Sequence, residues 1–264
     1  MASRKEQKEA ARARRLAEEQ ARQERARRER RLRMLGGLVL AAAALVAVAI
    51  AISSGGGSPP KLNTPAARAA ATSVNTLLNG IPESGTTIGS PSAKVTVTEF
   101  GDLKCPICKD FALGAEEALI SNDVRSGKVK LVYRSLCTAT CGGPQPSVFP
   151  TQQAAAYAAG RQNKAWYYIE LFYHLQGDET TSYVNTAFLD GLAKLVPGLN
   201  FNQWQSDSKL PTLTQQVAAD QSAASAKSFN STPAVIVAGP KGEQDFSQSL
   251  ESYGTYQSAI NAVQ

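Results

Sequence analysis

Apolar and polar positions divide this chain into segments of different texture. Residues 1–33 are rich in Ala, Arg, Glu and Gln and carry no apolar stripe, so they read as a charged, solvated helix. From Leu35 to Ile52 run 18 residues without a charge. Ser53 to Pro65 (SSGGGSPPKLNTP) is a Gly/Ser/Pro linker. Ala66–Leu78 is Ala-rich, with Val74, Leu77 and Leu78 at helical spacing, and predicts a packed helix. Ile81–Ser92 carries turn residues around a short edge strand. In the next segment Val95, Val97 and Glu99 alternate with Thr96, Thr98 and Phe100, a β-branched strand pattern.

A short loop leads to Cys105, and Phe111 to Ile120 continues as a helix. Val129–Arg134 (VKLVYR) predicts a second strand. Thr151 to Gln221 has little strand signal, and Ala/Leu/aromatic runs at 151–163, 164–175, 183–196 and 211–227 predict a helical block. Ala234–Val237 (AVIV) reads as a buried strand, Phe246 as part of a last edge strand, and Tyr253–Val263 as a terminal helix. The order is β-α-β, helical block, β-β-α.

Charge changes the picture at the N-terminus. The net charge is +6. Residues 1–33 hold 13 Lys/Arg and 6 Glu, a net of +7, which leaves the remainder at −1. The basic character belongs to the tail, so the folded part is not expected to bind nucleic acid. The apolar run would span about 27 Å as a helix, near the roughly 30 Å hydrocarbon core of a bilayer. A cleaved signal peptide, a buried core helix and a membrane anchor compete for it. The long tail before it and its own length favour an uncleaved anchor over a signal peptide. Basic residues directly before it place the tail in the cytoplasm and residues 53–264 outside. Four cysteines (105, 108, 137 and 141) all fall in that exported part, where thiols oxidise to disulfides.

The chemistry concentrates in Cys105-Pro106-Ile107-Cys108, at the handover from strand to helix. Two cysteines so spaced at a helix start come close enough for a disulfide. The first sits beside the unpaired N–H groups of the opening turn, which favour thiolate and make Cys105 the accessible, attacking sulfur. Pro106 suits the first turn, and Cys108, one turn in, is the more buried partner. A zinc site built from all four cysteines is the main alternative; the longer second spacing and the oxidising compartment count against it. A purely structural disulfide is the other. Cys137-Thr-Ala-Thr-Cys141, before Gly-Gly-Pro, reads most simply as a local structural disulfide, with an accessory redox role left open.

Taken together, VTVTEFGDLKCPIC, the helical block and STPAVIV resemble the DsbA-type disulfide oxidoreductases of the thioredoxin superfamily, in a membrane-anchored bacterial form. The likeness covers roughly residues 90–264. It implies an α/β thioredoxin fold with an inserted helical domain, preceded by a single transmembrane helix. The expected layout is a basic cytoplasmic tail (1–34), an anchor (35–52), a linker and N-terminal helix (53–80), and a DsbA-like domain (81–264) whose insertion spans about 150–227. By that resemblance Cys105 is the nucleophile and Cys108 its buried partner. Thr232 and a cis Pro233 form a ledge for an extended substrate, although Thr-Pro before a strand is by itself an ordinary turn.

Glu99 falls where the family has a buried acid able to exchange a proton with Cys108. Alternation alone would equally let Glu99 face solvent, with Asp102 or Lys104 tuning the charge near Cys105. Ile107 stands where a histidine is often found, so a less extreme oxidant is expected; His174, the only histidine, reads as a surface or packing residue. Asn230-Ser-Thr232 matches a glycosylation acceptor by pattern and carries no weight. No metal or cofactor is expected.

The implied partners are unfolded exported proteins and a quinone-linked membrane reoxidase (DsbB- or VKOR-like). A reductase or isomerase is the rival within the same chemistry, and a non-catalytic thioredoxin-like binding module the rival outside it.

Overall fold

Strand Val95–Gly101 is the centre of the architecture because it alternates into two cores. Val95, Val97 and Glu99 face one layer of helices, while Phe100 on the opposite face joins Leu136, Ala224, Phe229 and Ala234. The computed structural model describes residues 60–247 and 251–264, all within one unit, Gly57–Gln264. The predicted basic tail and apolar anchor lie outside the described residues. Among the described residues, no helix is long and apolar enough to cross a membrane.

Helix α1 (Pro65–Leu78) opens with Thr64 accepting from the Ala67 amide and Pro at the first turn, a favourable N-terminus. Its Val74 and Leu78 are buried, as their spacing predicts. The single edge strand expected over 81–92 is a small hairpin instead, β1 (Glu83–Ser84) and β2 (Thr87–Gly89). Gly85 takes a left-handed φ of 61° between them.

Strand β3 (Val95–Gly101) leads into helix α2, which begins as Pro106–Phe111 and continues through a π turn (Ala112–Glu116), one α turn (Glu117–Leu119) and a second π turn (Ile120–Val124). It is longer than the predicted Phe111–Ile120. Strand β4 (Val129–Ser135) returns parallel to β3, with Glu99 opposite Tyr133.

The helical block follows: α3 (Ala139–Gly142), α4 (Phe149–Gly160), α5 (Ala165–His174), α6 (Thr186–Leu195), α7 (Phe201–Asp207) and α8 (Pro211–Ala226). Four of these match the predicted runs. The short α3 and α7 were not predicted, because one is a single turn in a Cys/Gly loop and the other is mostly polar. Strand β5 (Ala234–Gly239) runs antiparallel to β3, β6 (Gly242–Phe246) pairs with β5, and α9 (Tyr253–Val263) closes the chain. The sheet order is β1-β2-β4-β3-β5-β6. A parallel central pair joined by a helix, with two antiparallel strands returning after an insertion, places β3 in the middle of the sheet. Its C-terminal end is where the cysteines are.

Candidate active site

Cys105 is the residue immediately before the first turn of α2, and Pro106 takes the first helical position. Asp102 fixes this entry. Its carboxylate accepts from the amides of Lys104 (3.0 Å), Thr138 (2.9 Å) and Thr140 (2.8 Å), from the Thr140 hydroxyl (2.5 Å) and from the Gln152 amide group (3.3 Å). Gln176 donates to the carbonyls of Leu103 (2.8 Å) and Cys105 (3.0 Å) from the other side. The loop before the first cysteine is therefore held by side chains from the helical block.

Both Cys105 and Cys108 are free thiols. Cys108 is fully buried, and Cys105 is only 6% exposed. The expectation of an accessible Cys105 needs correction: it lies nearly flush with the surface, and the most exposed side chain of the motif is Ile107, at 45%. The Cys105 thiol donates to the Thr232 carbonyl at 3.6 Å. Thr232-Pro233 is a cis peptide. The Thr232 hydroxyl lies 2.5 Å from that of Thr138, linking this loop to the one that holds Asp102.

This packing sets the acidity of each sulfur. The Cys105 thiol is lowered to about 6, first by the Cys108 thiol donating to it, then by the Thr232 hydroxyl and the amides of Cys108 and Ile107, against the opposing effect of burial. The helix-start amides expected from the sequence do contribute, but the partner cysteine contributes more. Cys108 is pushed up, first by burial and then by its place as donor to Cys105. Two sulfurs with opposite tendencies, one poised as thiolate and one kept as thiol, suit exchange chemistry.

Lys104 and Asp102, the alternative tuners of Cys105, have other tasks. The Lys104 ammonium donates to the Thr181 carbonyl at 2.9 Å and lies over the Tyr183 ring. Glu99 is 2% exposed on the face toward the cysteines, which excludes the solvent-facing alternative. Burial raises its carboxyl to about 8, with the Cys105 charge adding to the rise and contacts to Glu116 and the Tyr173 hydroxyl opposing it. His174 is half-buried, and burial lowers its pKa.

Cys137 and Cys141 form a disulfide at the turn containing α3. It frames the very amides, of Thr138 and Thr140, that bind Asp102. Replacing both cysteines by serine is expected to cost about 2 kcal/mol, the chain-entropy figure for so short a loop. Urea unfolding of the variant, with the Cys105–Cys108 state held fixed, measures this.

Residues missed in the sequence are Gln152, Thr138 and Gln176, which gave no signal, and Glu116 and Glu170, which did. Cys108, Ala112, Glu116 and Ile120 recur every fourth residue along one helix face, and Glu170 is the one acid inside an otherwise apolar AWYYIELFY run. Among the described residues, no group of His, Cys, Asp or Glu is arranged to hold a metal ion.

A parallel β-α-β core with a paired-cysteine helix start facing a cis-proline loop defines a thioredoxin-type thiol–disulfide exchange site. A family model described as "Thioredoxin" matches residues 82–261, and the chain belongs to that family. It is similar to a "Probable disulfide bond formation protein D" of Bacillus anthracis, 24% identical over 160 residues, 60% of this chain and 72% of that protein. A protein of the same description from Bacillus cereus is 25% identical over 165 residues, with the same coverages. Among solved structures, oxidised BdbD from Bacillus subtilis matches with a TM-score of 0.57 at 20% identity, covering 69% of this chain and 97% of that one. A thioredoxin-like oxidoreductase from Silicibacter pomeroyi matches at 0.52 and 25% identity, covering 71% and 95%. These likenesses carry the fold: α/β thioredoxin with a helical insertion.

Proposed function

We propose that this protein is a thiol–disulfide oxidoreductase that introduces disulfides into unfolded exported proteins, with Cys105 and Cys108 as its redox pair. The observation that carries this is the contrast between the two sulfurs: Cys105 poised as thiolate against the Thr232 loop, Cys108 buried and kept as thiol. The relatives described as disulfide bond formation proteins support the direction of transfer.

In this reading a substrate thiolate attacks Cys105 of the oxidised pair. The Cys105–Cys108 bond breaks, and Cys108 leaves as a thiolate that takes a proton from Glu99. A second substrate thiol loses its proton and attacks the substrate sulfur of the mixed disulfide, releasing Cys105 as a thiolate. Two substrate thiols become a disulfide, and the enzyme is left with two electrons. Thr232 and Pro233 serve as the ledge on which an extended substrate segment lies. A quinone-linked membrane reoxidase then removes the electrons. The apolar run at 35–52, read as an anchor, holds residues 53–264 outside the membrane, and the Cys137–Cys141 disulfide is structural.

Thiolate stabilisation favours the reduced form and so makes the oxidised form a better oxidant. Cys105 has its folded pKa, about 6, below the ordinary value of 9.0. Its contribution to the stability of the reduced protein is therefore fully present above about pH 9 and is lost as pH falls through about 6. The oxidised protein lacks that contribution.

The reduction potential against glutathione tests the direction. We expect a value less negative than roughly −200 mV yet short of the roughly −120 mV of the strongest dithiol oxidants. Ile107→His adds a cation beside the thiolate and is expected to raise the potential by about 30 mV or more, tenfold in the exchange equilibrium. A wild-type potential near that of a reductase, roughly −270 mV, would assign the reverse direction.

A further inference from the structure

Behind the cysteine pair, three glutamates from three elements meet in the interior with no cation among the groups acting on them. Glu99 comes from β3, Glu116 from the end of the first π turn of α2, and Glu170 from the middle of α5, and all are buried. Glu116 and the Tyr173 hydroxyl are the neighbours that favour the Glu99 carboxylate, and the Glu99 charge in turn acts on both Glu116 and Glu170. Neither oxygen of Glu99 or of Glu170 has a well-formed partner, nor does one oxygen of Glu116 or the Tyr173 hydroxyl. Gly101 leaves room for this, since a side chain there would meet Glu99 Oε1 at 2.7 Å, the Tyr133 ring at 2.8 Å and the Tyr173 hydroxyl at 3.0 Å. Other groups facing the trio are Cys105 and Cys108 from α2, Tyr133 from β4 and Tyr256 from α9, with Glu117 nearer Glu170.

An unpaired carboxylate in such a place is costly, and two are more so. The groups therefore share protons, as adjacent carboxyls do when both cannot ionise. Burial first, and the Glu99 charge next, push both Glu116 and Glu170 toward the neutral acid. Glu116 is thus available to donate a hydrogen bond to a Glu99 carboxylate, and Glu99, the one of the three that acts on Cys108, is the member that ionises.

We propose that Glu99, Glu116 and Glu170 form one buried proton store for the redox pair, with Glu116 and Glu170 as positioning residues that hold their own protons and set when Glu99 gives up its own. The proposal rests on Glu99 exchanging a proton with Cys108. When the Cys105–Cys108 bond breaks, the Glu99 proton goes to the Cys108 sulfur, and the O–H of Glu116 turns onto the new Glu99 carboxylate. Oxidation reverses this: Cys108 returns its proton to Glu99 as the disulfide forms, and the electron pair leaves with the oxidant.

The test compares Glu99→Gln, Glu116→Gln, Glu116→Leu and Glu170→Gln in the full-length protein, reading the pH dependence of the Cys105–Cys108 reduction potential and thiolate absorbance. Glu116→Gln keeps a donor and is expected to leave the inflection due to Glu99 within a few tenths of a pH unit of wild type. Glu116→Leu removes it and is expected to move that inflection up by about one pH unit or more, the equivalent of one hydrogen bond to a charge. Loss of the inflection in Glu99→Gln without any shift in Glu116→Leu would overturn the shared store while preserving the role of Glu99. No change in Glu99→Gln would overturn that role itself. Infrared spectra of the wild-type protein at pH 7 decide the matter even for a variant that does not fold. Three buried protonated carboxyl bands are expected in the oxidised protein and two in the reduced one, with one fewer in each state in Glu170→Gln. Fewer than two in the reduced protein, or no band lost on reduction, would refute the store.

Discussion

Cys105→Ala is expected to reduce disulfide formation in a reduced, unfolded substrate to the uncatalysed rate, while Cys108→Ala, offered a disulfide-bonded substrate, arrests the exchange as a covalent complex. The two outcomes follow from one asymmetry. Cys105 is the sulfur at the surface edge, 6% exposed, whereas Cys108 is fully enclosed. An incoming thiolate therefore reaches only the first. Without Cys105 nothing accepts it, and the buried Cys108 thiol, its acidity pushed down, is both shielded and a poor nucleophile. Without Cys108 the Cys105 thiolate still attacks a substrate disulfide, but no neighbouring thiol resolves the product. The loss also changes Cys105, because the Cys108 thiol is the largest influence lowering it toward 6. Trapping with Cys108→Ala is consequently expected to be slower at pH 6 than at pH 8. Non-reducing electrophoresis and mass spectrometry of the trapped complexes read both predictions. Equal trapping by Cys105→Ala would reverse the assignment of the two sulfurs, and undiminished function of Cys105→Ala would favour a binding module.

The same asymmetry shows how much was legible beforehand. The CPIC spacing, the strand before it and Thr232-Pro233 are short-range signals, written where secondary structure changes. A reader of the sequence can place them because a helix start has only one geometry. The helical block was legible for the same reason: runs such as 183–196 carry a full apolar face, and α6 spans Thr186–Leu195.

What the sequence does not carry is who meets whom across long separations. Asp102 is 50 residues from Gln152, and Glu99 is 71 from Glu170. No local pattern marks them as neighbours, since each pairing depends on how the helical block folds back over the end of β3. Polar residues were also under-read. Glu116 and Glu170 lie on buried faces of their helices, yet an acid on a helix is by default a solvent-facing residue. The periodicity that buries them is written in the sequence, in the spacing of Cys108, Ala112, Glu116 and Ile120 and in the apolar run around Glu170.

Asp102 illustrates the point with the largest stability effect we expect. Its carboxylate is wholly buried, and it accepts five hydrogen bonds, three of them from backbone amides. Asp102→Ala leaves those amides facing a void in a place water does not reach, and each buried unpaired donor costs about 1–3 kcal/mol. Relaxation of the Thr138–Thr140 turn recovers part of that, so a loss of about 3–5 kcal/mol is expected, a large fraction of the stability of an ordinary domain. Asp102→Asn keeps one acceptor oxygen but turns a donor toward donors, so it is expected to fall between the alanine variant and wild type. Guanidinium unfolding of the reduced protein measures both.

The damage should also spread to the chemistry. Thr138 is held by Asp102 on its amide and by Thr232 on its hydroxyl, and the Thr232 hydroxyl is one of the groups that lower Cys105. Loosening Thr138 therefore weakens a donor to the thiolate, and the Cys105 titration is expected to move up from about 6 in both variants. A stability loss below about 1 kcal/mol with an unmoved Cys105 titration would show that this carboxylate is not what joins the two loops. The catalytic sulfur would then owe its acidity to Cys108 and the first helical amides alone.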